Sequence, residues 1–387
     1  MSATIQPKGS KLYVVVDANG PNGKRKQKWI STGIGINGSK RKAEEIRKEI
    51  EREYEIKNRL TPSNITLDEF AQKWISSVKE DIDVITYGGY ESIVQVHIIP
   101  YFKEHSIRVN DITTEIIQAY FDEMKLRGNK STGKGLSPKT LRSHMNVFRQ
   151  IFKLARKEKL IFDDPSEFVK LPKNTPKKVE IYDPETLKEV FTAIKDDRLF
   201  HLIYVTLFFG MRRSEALGIK WDAIDFERKA LTIKHTVVTY NGQVVAKDST
   251  KTDSSNRVYP LSDEMISLFR WIKDREDEER KICGADYIEN DYVFKWPNGK
   301  TFDPDYVSKH FKKLLKKNGF KHIRFHALRH SCAGLLLSEG YELYDVMEWL
   351  GHSDISITAK FYGHLNMKRK KALGNSISNS LDFGKLN

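Results

Sequence analysis

Apolar residues recur at intervals of three and four positions through much of the first half of this chain, a spacing typical of amphipathic helices. Four such stripes span residues 67–74, 90–99, 112–124 and 141–155. Ser137 and Pro138 precede the last stripe, and this pair is typical of the start of a helix. The pattern predicts a unit of four helices.

The second half of the chain combines helical stripes with a stretch of strand-like alternation. Helices are predicted over 184–195, 199–209, 262–281 and 304–317, strands over 230–234, 243–245 and 257–260, and a short strand over 291–294 before a turn at 298–300. The charged run 274–280 is interpreted as the solvated end of its helix. We therefore expect a mixed domain with small sheets.

Three short helices joined by tight turns are predicted near the C-terminal end. The first covers 326–339, and the second ends at Gly351. The third is capped by Ser353 or Asp354 and ends near Tyr362. Because short helices with tight turns can fold back on one another, polar residues at their ends can share one face.

The first 60 residues predict a small separate module. Residues 12–16 and 28–32 read as paired strands, and the Asn, Gly and Pro residues of 19–23 form the turn between them. Ser39 then caps a charged helix that continues to about residue 58. A β-hairpin followed by a helix is expected here.

Two linker-like stretches, 60–64 and 171–178, divide the chain. The predicted parts are an N-terminal module over 1–60, a helical domain over 64–172, a linker over 173–178 and a C-terminal domain over 179–387. The expected fold class is multidomain and mainly α with small β-sheets. It comprises an α+β N-terminal module, a helical domain and a mixed α/β domain.

The charge of the chain indicates what kind of molecule it binds. It contains 66 Lys and Arg against 52 Asp and Glu, a formal net charge of +14, and half of that excess lies in the first 60 residues. A basic excess favours a polyanion such as DNA. Two distant cysteines, no signal peptide and no apolar run long enough for a bilayer predict a soluble cytoplasmic protein without membrane contact.

Residues suited to chemistry concentrate between positions 325 and 362. This stretch supplies Arg329, three histidines and Tyr362, a set suited to holding a phosphate while a phenol oxygen attacks it. A single His or Tyr beside an apolar helix face is usually a core residue, so their joint occurrence carries the interpretation. Cys332, on the apolar side, is interpreted as core. No metal-ligand spacing competes, and neither a metal nor a cofactor is expected.

Three linked motifs in this stretch resemble a known family. H-x-L-R-H at 326–330, L-G-H at 350–352 and Y-x-H at 362–364 resemble the C-terminal signature of tyrosine recombinases, the family of phage and conjugative-transposon integrases. The resemblance implies a site-specific DNA recombinase that integrates a mobile element and is expected to excise it. It also implies that Tyr362 attacks a DNA phosphodiester and becomes joined to the 3′-phosphate.

The sequence G-x-R-x-S-E at 210–215 resembles the first catalytic box of the same family. The resemblance places Arg212 at the phosphate and gives Glu215 a supporting role. Arg213 is the rival candidate, but the spacing of the motif favours Arg212. The family more often has threonine where Phe209 stands, so we expect a change of packing there and no loss of chemistry.

The polar loop 249–255 resembles the family's β-hairpin, whose lysine lies in the minor groove beside the scissile bond. This assigns to Lys251 the protonation of the departing 5′-oxygen, with Lys247 as the alternative. Because a lysine in a hairpin loop is ordinarily solvated, the assignment depends on position in the motif.

The expected mechanism uses two arginines as a clamp. Arg212 and Arg329 are suited to it because a planar, forked guanidinium contacts two phosphate oxygens and keeps its charge near neutral pH. His352 adds a hydrogen bond. Tyr362 must lose a proton, for which His326 is the candidate base. The phosphotyrosine bond conserves the energy of the broken bond, so neither ATP nor a metal is needed.

Basic residues outside the C-terminal domain are candidate DNA contacts. Lys24, Arg25 and Lys26 lie on the predicted hairpin, which a DNA groove can accommodate, and Lys139, Arg142 and Arg149 lie on the exposed side of the last helix of the helical domain. A solvated basic face is the alternative for both sets.

The resemblance also implies partners. These are double-stranded DNA at core sites and, through the N-terminal module, at arm sites, in a homotetramer on DNA with a possible directionality factor. The C-terminal tail would be exchanged between protomers, with Ile377 and Leu381 as anchors.

Three alternatives remain open. A Xer-like resolvase is disfavoured because it would lack the first 60 residues. A non-catalytic DNA-binding protein of recombinase shape would form no covalent adduct with DNA. A type IB topoisomerase-like enzyme would relax plasmids without sequence preference.

Overall fold

The computed structural model describes residues 3–19, 25–175, 180–240, 242–247 and 257–351. Four of the residues singled out above, Lys24, Lys251, His352 and Tyr362, lie outside these ranges, together with the third C-terminal helix and the tail. The chain divides into two compact units between residues 175 and 176. None of the helices in the described ranges combines the length and the apolar character that a membrane span requires.

The N-terminal module of the first unit is an antiparallel sheet that contacts one helix. The strands are β1 (Ala3–Lys8), β2 (Lys11–Asn19) and β3 (Arg25–Gly35), in the order β1-β2-β3, and the helix is α1 (Lys40–Arg59). Val14 and Val16 of β2 are buried, with Ile30 and Ile50 packed against them. The predicted strand pair and helix are confirmed. The prediction omits β1, in which Pro7 obscures the alternation.

Helices form the rest of the first unit, as predicted. They are α2 (Leu67–Ser77), α3 (Val84–Ile93), α4 (Ile99–His105), α5 (Thr114–Arg127) and α6 (Pro138–Lys157), with a π-helical turn at Val94–Ile98 between α3 and α4. The hydroxyl of Ser137 accepts a hydrogen bond from Thr140 N at 3.1 Å, which fixes the start of α6. The predicted apolar stripe of α6 is buried at every position: Leu141, Met145, Phe148, Ile151, Phe152 and Ala155.

The opposite face of α6 carries the candidate DNA contacts. Lys139 and Arg149 are exposed there, but Arg142 is partly buried. Arg142 Nη2 donates to the carbonyl of Pro172 at 3.0 Å, and Nη1 donates to the carbonyl of Pro138 at 3.3 Å. Arg142 therefore anchors the segment that leads into the linker, and its guanidinium is only partly available on the face where the sequence places it.

The interior of the helical region contains two neighbouring histidines. His144 on α6 is buried, and its ring centroid lies 4.8 Å from that of His97. His144 Nδ1 is 2.8 Å from the hydroxyl of Tyr120, whereas its Nε2 has no hydrogen-bond partner among the described residues. Burial, and then the proximity of His97, lower the pKa of His144 to about 3. The His144 ring is therefore neutral at physiological pH.

Acidification is expected to destabilise this region. An unfolded histidine takes up a proton near pH 6.5, but folded His144 does so only near pH 3, so protons favour the unfolded chain between these values. The contribution is fully present above about pH 6.5, and the free energy of unfolding falls by about 2 kcal/mol at about pH 5. Denaturant unfolding of the full chain at the two pH values measures the change.

The matched variants for this test are His144→Phe and His105→Gln. His144→Phe should reduce stability at neutral pH, because Tyr120 loses its partner, but should weaken the dependence on pH. His105 is exposed on α4, and its replacement should leave that dependence unchanged. An undiminished pH dependence in His144→Phe would refute the assignment.

The second unit arranges helices and short strands around one apolar core. The helices are α7 (Pro184–Ile194), α8 (Phe200–Phe208), α9 (Arg213–Leu217), α10 (Asp263–Cys283), α11 (Pro304–Lys317), α12 (Ala327–Ser338) and α13 (Leu343–Leu350). The strands are β4 (Ile224–Asp225), β5 (Ala230–Thr232), β6 (Thr236–Tyr240), β7 (Gln243–Lys247) and β8 (Val258–Pro260). The prediction of a mainly helical fold with small sheets is confirmed.

The strands form a sheet and a separate hairpin. The antiparallel sheet has the order β4-β5-β8, and β6 pairs with β7 in the hairpin. The prediction omits β4 and β6. The strand predicted over 291–294 is wrong, because Tyr292 makes only an isolated bridge with Lys220.

The charged end of α10 is largely solvated, as the sequence indicates, but Glu276 within it is buried. Glu276 is 7% exposed and accepts hydrogen bonds from Trp221 Nε1 at 2.7 Å and from the Tyr287 hydroxyl at 3.2 Å. It also pairs with Lys295 Nζ at 2.7 Å, where both side chains are buried. A carboxylate removed from water needs such partners. Glu276 thus connects α10 to segments that lie far from it in the sequence.

Candidate active site

The turn between α8 and α9 positions the candidate site. Gly210 has a φ of +60°, and a Cβ there would lie 2.3 Å from Leu350 Cδ2. Only glycine meets both demands without strain. The carbonyl of Gly210 accepts a hydrogen bond from Arg329 Nη1 at 2.7 Å. This turn therefore brings residues of α12 and α13 against the start of α9.

Arg212 lies at the N-terminus of α9, where Glu215 holds it from two directions. Glu215 Oε2 accepts from the backbone N–H of Arg212 at 2.8 Å, and Oε1 accepts from Arg212 Nη1 at 2.6 Å. Arg212 Nη2 is 3.5 Å from the carbonyl of Gly351, the residue before His352. The Arg212 side chain remains 39% exposed, while Glu215 is 2% exposed. An exposed guanidinium on a buried support is suited to meeting an anion.

Arg213, the rival candidate, is directed elsewhere. Its Nη1 donates to the carbonyl of Pro304 at 2.7 Å and to the hydroxyl of Ser308 at 2.6 Å, both on α11. These contacts give Arg213 a role in joining α9 to α11. The geometry agrees with the motif spacing in favouring Arg212.

Arg329 is buried in the first turn of α12, with 1% of its surface exposed. Burial, and then the positive charge of Arg212, lower the pKa of Arg329 to about 10. Arg329 is still protonated at neutral pH. Two guanidinium groups from distant parts of the sequence are thus close enough to repel each other, and an anion between them would relieve that repulsion.

His326 lies at the N-cap of α12, one turn before Arg329. The residue as a whole is exposed to solvent, but neighbouring protein atoms surround part of its imidazole ring. The resulting desolvation, followed by the charges of His330, Arg329 and Arg212, lowers the pKa of His326 to about 4. The imidazole is therefore neutral near pH 7 and has a nitrogen able to accept a proton.

Arg257 is a charged residue of this site that the sequence analysis missed. Its Nη2 donates to Glu215 Oε2 at 2.7 Å, and its side chain is 10% exposed. Burial raises the pKa of Glu215, but Arg257 and Arg212 outweigh that effect, so the pKa lies below its ordinary value. The one signal in the sequence was an arginine at the start of a predicted strand.

Phe209 takes part in an aromatic cluster at the base of the site. It is fully buried, and its ring lies 4.9 Å from Tyr259 and 6.3 Å from Trp349. The hydroxyl of Tyr259 lies 3.0 Å from the carbonyl of Phe209 and 2.8 Å from that of Trp349, and its proton serves either one. Phe209 therefore packs in the core beneath the site, and the change of packing expected there stays a prediction.

The structure thus brings together Arg212, Glu215, His326 and Arg329 of the predicted site. Cys332, interpreted as core, is buried behind them. Within the described part of the chain, no group of three or more His, Cys, Asp or Glu residues is arranged to bind a metal ion.

In the first unit, the exposed face of α6 lines an open groove of about 1010 Å³. Its cationic members include Arg149, Lys153, Arg156 and Lys157, with Phe162 beside them. A basic groove with an exposed aromatic residue is a surface suited to nucleic acid.

Two stretches of the chain match models of known protein families. The model described as the phage integrase family matches residues 182–369, and the model described as the N-terminal SAM-like domain of phage integrases matches residues 66–125.

Two relatives match most of the sequence. A XerC-like tyrosine recombinase of Caldanaerobacter subterraneus subsp. tengcongensis is 30% identical over 328 residues, which is 79% of this chain and 81% of the relative. The ICEBs1 integrase of Bacillus subtilis is 24% identical over 348 residues, which is 89% of this chain and 92% of the relative.

Solved structures share the fold. Residues 82–397 of the Tn1549 transposon integrase, in complex with a circular intermediate DNA, align with a TM-score of 0.66 and 20% identity, covering 81% of this chain and 99% of that one. The XerH recombinase in a post-cleavage complex with its difH substrate aligns with a TM-score of 0.55 and 17% identity, covering 82% of this chain and 98% of that one.

Proposed function

Because the chain belongs to the phage integrase family of tyrosine recombinases, we propose that Tyr362 is the nucleophile with which it cleaves and rejoins DNA. The protein is a site-specific DNA recombinase of the integrase type. In the proposed step the Tyr362 oxygen bonds to phosphorus, the bond from phosphorus to the 5′-oxygen breaks, and the protein is left joined to the 3′-phosphate.

The convergence of Arg212 and Arg329 carries this proposal. A phosphodiester is already anionic, and attack concentrates further charge on its non-bridging oxygens. Arg212 presents an exposed guanidinium and Arg329 a buried one, and repulsion from the charge of Arg212 contributes to the lowered pKa of Arg329. The attacked phosphate relieves the repulsion between the two arginines. Because the negative charge of the phosphate is greatest in the transition state, the pair stabilises that state more than the bound substrate.

Proton transfer requires an acceptor for the phenol and a donor for the leaving oxygen. His326, neutral near pH 7, is the proposed base for Tyr362. Lys251 is proposed to protonate the 5′-oxygen, and His352 to donate a hydrogen bond to the phosphate. The reverse step, in which the 5′-hydroxyl of a second strand attacks the phosphotyrosine, rejoins the DNA without ATP.

The partner of the protein is DNA. We assign core-site binding to the helical domain over 64–172 and to the catalytic domain over 179–387, joined by the linker 173–178. The basic groove along α6 supports contact of Arg149 with the phosphate backbone.

The N-terminal module over 1–60 is proposed to bind arm sites. Arg25 and Lys26 begin β3, and Lys24 precedes them in the sequence, outside the described residues. A tethered second DNA-binding module raises the local concentration of the catalytic unit at distant sites. Exchange of DNA between two sites calls for a homotetramer, with tail exchange between protomers and a directionality factor as further elements of the proposal.

A suicide substrate tests the proposed chemistry. A core-site duplex nicked close to the cleavage point loses its short 5′-hydroxyl fragment, so the protein stays covalently attached. We expect an adduct on denaturing gels, and mapping of the attached nucleotide should give a single 3′-phosphate. Absence of any adduct would leave only a DNA-binding protein. Plasmid relaxation without sequence preference or strand exchange would favour a topoisomerase-like enzyme.

A further inference from the structure

We propose that Arg257 is a positioning residue that holds the clamp arginine Arg212 through the carboxylate of Glu215, an inference that rests on the proposed function. Arg257 is separated from both clamp arginines in the sequence, and none of the motifs described above includes it. Its position follows from contacts in the fold.

The carboxylate of Glu215 is shared between the two arginines. Glu215 Oε1 accepts from Arg212 Nη1 at 2.6 Å, with Arg257 Nη1 at 3.5 Å, while Oε2 accepts from Arg212 N at 2.8 Å and Arg257 Nη2 at 2.7 Å. Glu215 is 2% exposed, so water cannot replace a lost donor without rearrangement. The direction in which the carboxylate holds Arg212 therefore depends on Arg257.

Arg257 is itself held on several sides. Its Nε donates to the hydroxyl of Tyr259 at 2.5 Å, and its backbone carbonyl accepts from Ile233 N at 3.0 Å. The Tyr259 hydroxyl in turn contacts the carbonyl of Trp349 at 2.8 Å. These bonds connect β8 and the residue before it to the start of α9 and the end of α13.

Charge gives Arg257 a second effect. Arg212 paired with Glu215 alone would be a neutral pair, and the carboxylate would repel an incoming phosphate. Arg257 supplies a second positive charge to Glu215, which leaves Arg212 with a net attraction for the anion. Arg257 is 10% exposed and is directed at Glu215 and Tyr259, so it acts through Arg212.

Single-turnover cleavage of the suicide substrate tests the proposal in a double-mutant cycle. The variants of the full chain are Arg257→Gln, Arg212→Lys and the two combined. We expect Arg257→Gln to slow adduct formation by about 10- to 100-fold, as loss of a group that orients a contact residue does. In the Arg212→Lys background, the same change should slow it by less than about threefold, because the fork that Glu215 holds is already gone.

Two controls separate positioning from folding. Arg228→Gln removes an arginine that is 88% exposed and should cleave at the wild-type rate. Arg257→Lys keeps the charge with a single donor group and should recover part of the rate. It also serves as the test variant if circular dichroism shows that Arg257→Gln does not fold.

The outcomes distinguish this inference from the proposed function. If the wild-type chain forms no adduct, the proposed function fails. If the wild-type chain cleaves, either of two results overturns only the role of Arg257: wild-type rates in Arg257→Gln and Arg257→Lys, or a full and independent loss in both backgrounds.

Discussion

A Tyr362→Phe chain is expected to bind its core-site duplex as the wild type does and to form no covalent adduct with it. The substitution removes the one oxygen assigned to attack phosphorus and leaves a ring of nearly the same size. Since Arg212, Arg329 and the basic groove of the helical domain are untouched, binding should persist. The measurement pairs a gel-shift titration with the suicide-substrate assay on the same protein.

Tyr344→Phe is the matched control for this prediction. Tyr344 lies on α13 and is 61% exposed, so its hydroxyl can be removed without disturbing the core. This variant should form adduct at the wild-type rate. A covalent adduct in Tyr362→Phe, with the same attachment point on the DNA, would refute the assignment of the nucleophile.

Local periodicity was sufficient to predict the helices that carry the candidate site. The predicted spans 326–339 and the helix ending at Gly351 agree closely with α12 (Ala327–Ser338) and α13 (Leu343–Leu350). Gly351 has a φ of +64°, which explains why the helix stops there. Helical spacing also placed His326 one turn from Arg329, because such contacts depend only on neighbours in the sequence.

Such local patterns could not predict the contacts between segments that are distant in the sequence. The approach of Arg212 to Arg329 depends on the turn at Gly210, and only the family resemblance indicated it. Arg257 and Glu276 show the limit most clearly. Glu276 belongs to a charged run, and such runs are usually solvated, yet Lys295 supplies a buried partner. Nothing near either residue in the sequence marks the partner that it meets.

The burial of Arg329 has consequences for stability as well as for rate. Its pKa is lowered to about 10, chiefly by burial and then by Arg212, so retaining its charge at neutral pH costs folding free energy on the order of 3 kcal/mol. A bound phosphate would offset that cost. The free protein therefore buries a cation at a cost in stability, and a bound phosphate would add a charge–charge interaction that the free protein lacks.

Arg329→Gln is accordingly expected to affect rate and stability differently. Adduct formation should slow by about 10²- to 10³-fold, the usual result of losing one preorganised donor to a developing oxyanion. The unfolding midpoint should change little. The variant no longer buries a charge, and this gain offsets the loss of the hydrogen bond to the carbonyl of Gly210. Single-turnover cleavage and thermal unfolding measure the two effects, with Arg324→Gln, an exposed arginine of the same segment, as the control. Cleavage within about threefold of the wild type would exclude Arg329 from the clamp, whereas equal losses of folded protein and of activity would reduce its role to one in the core.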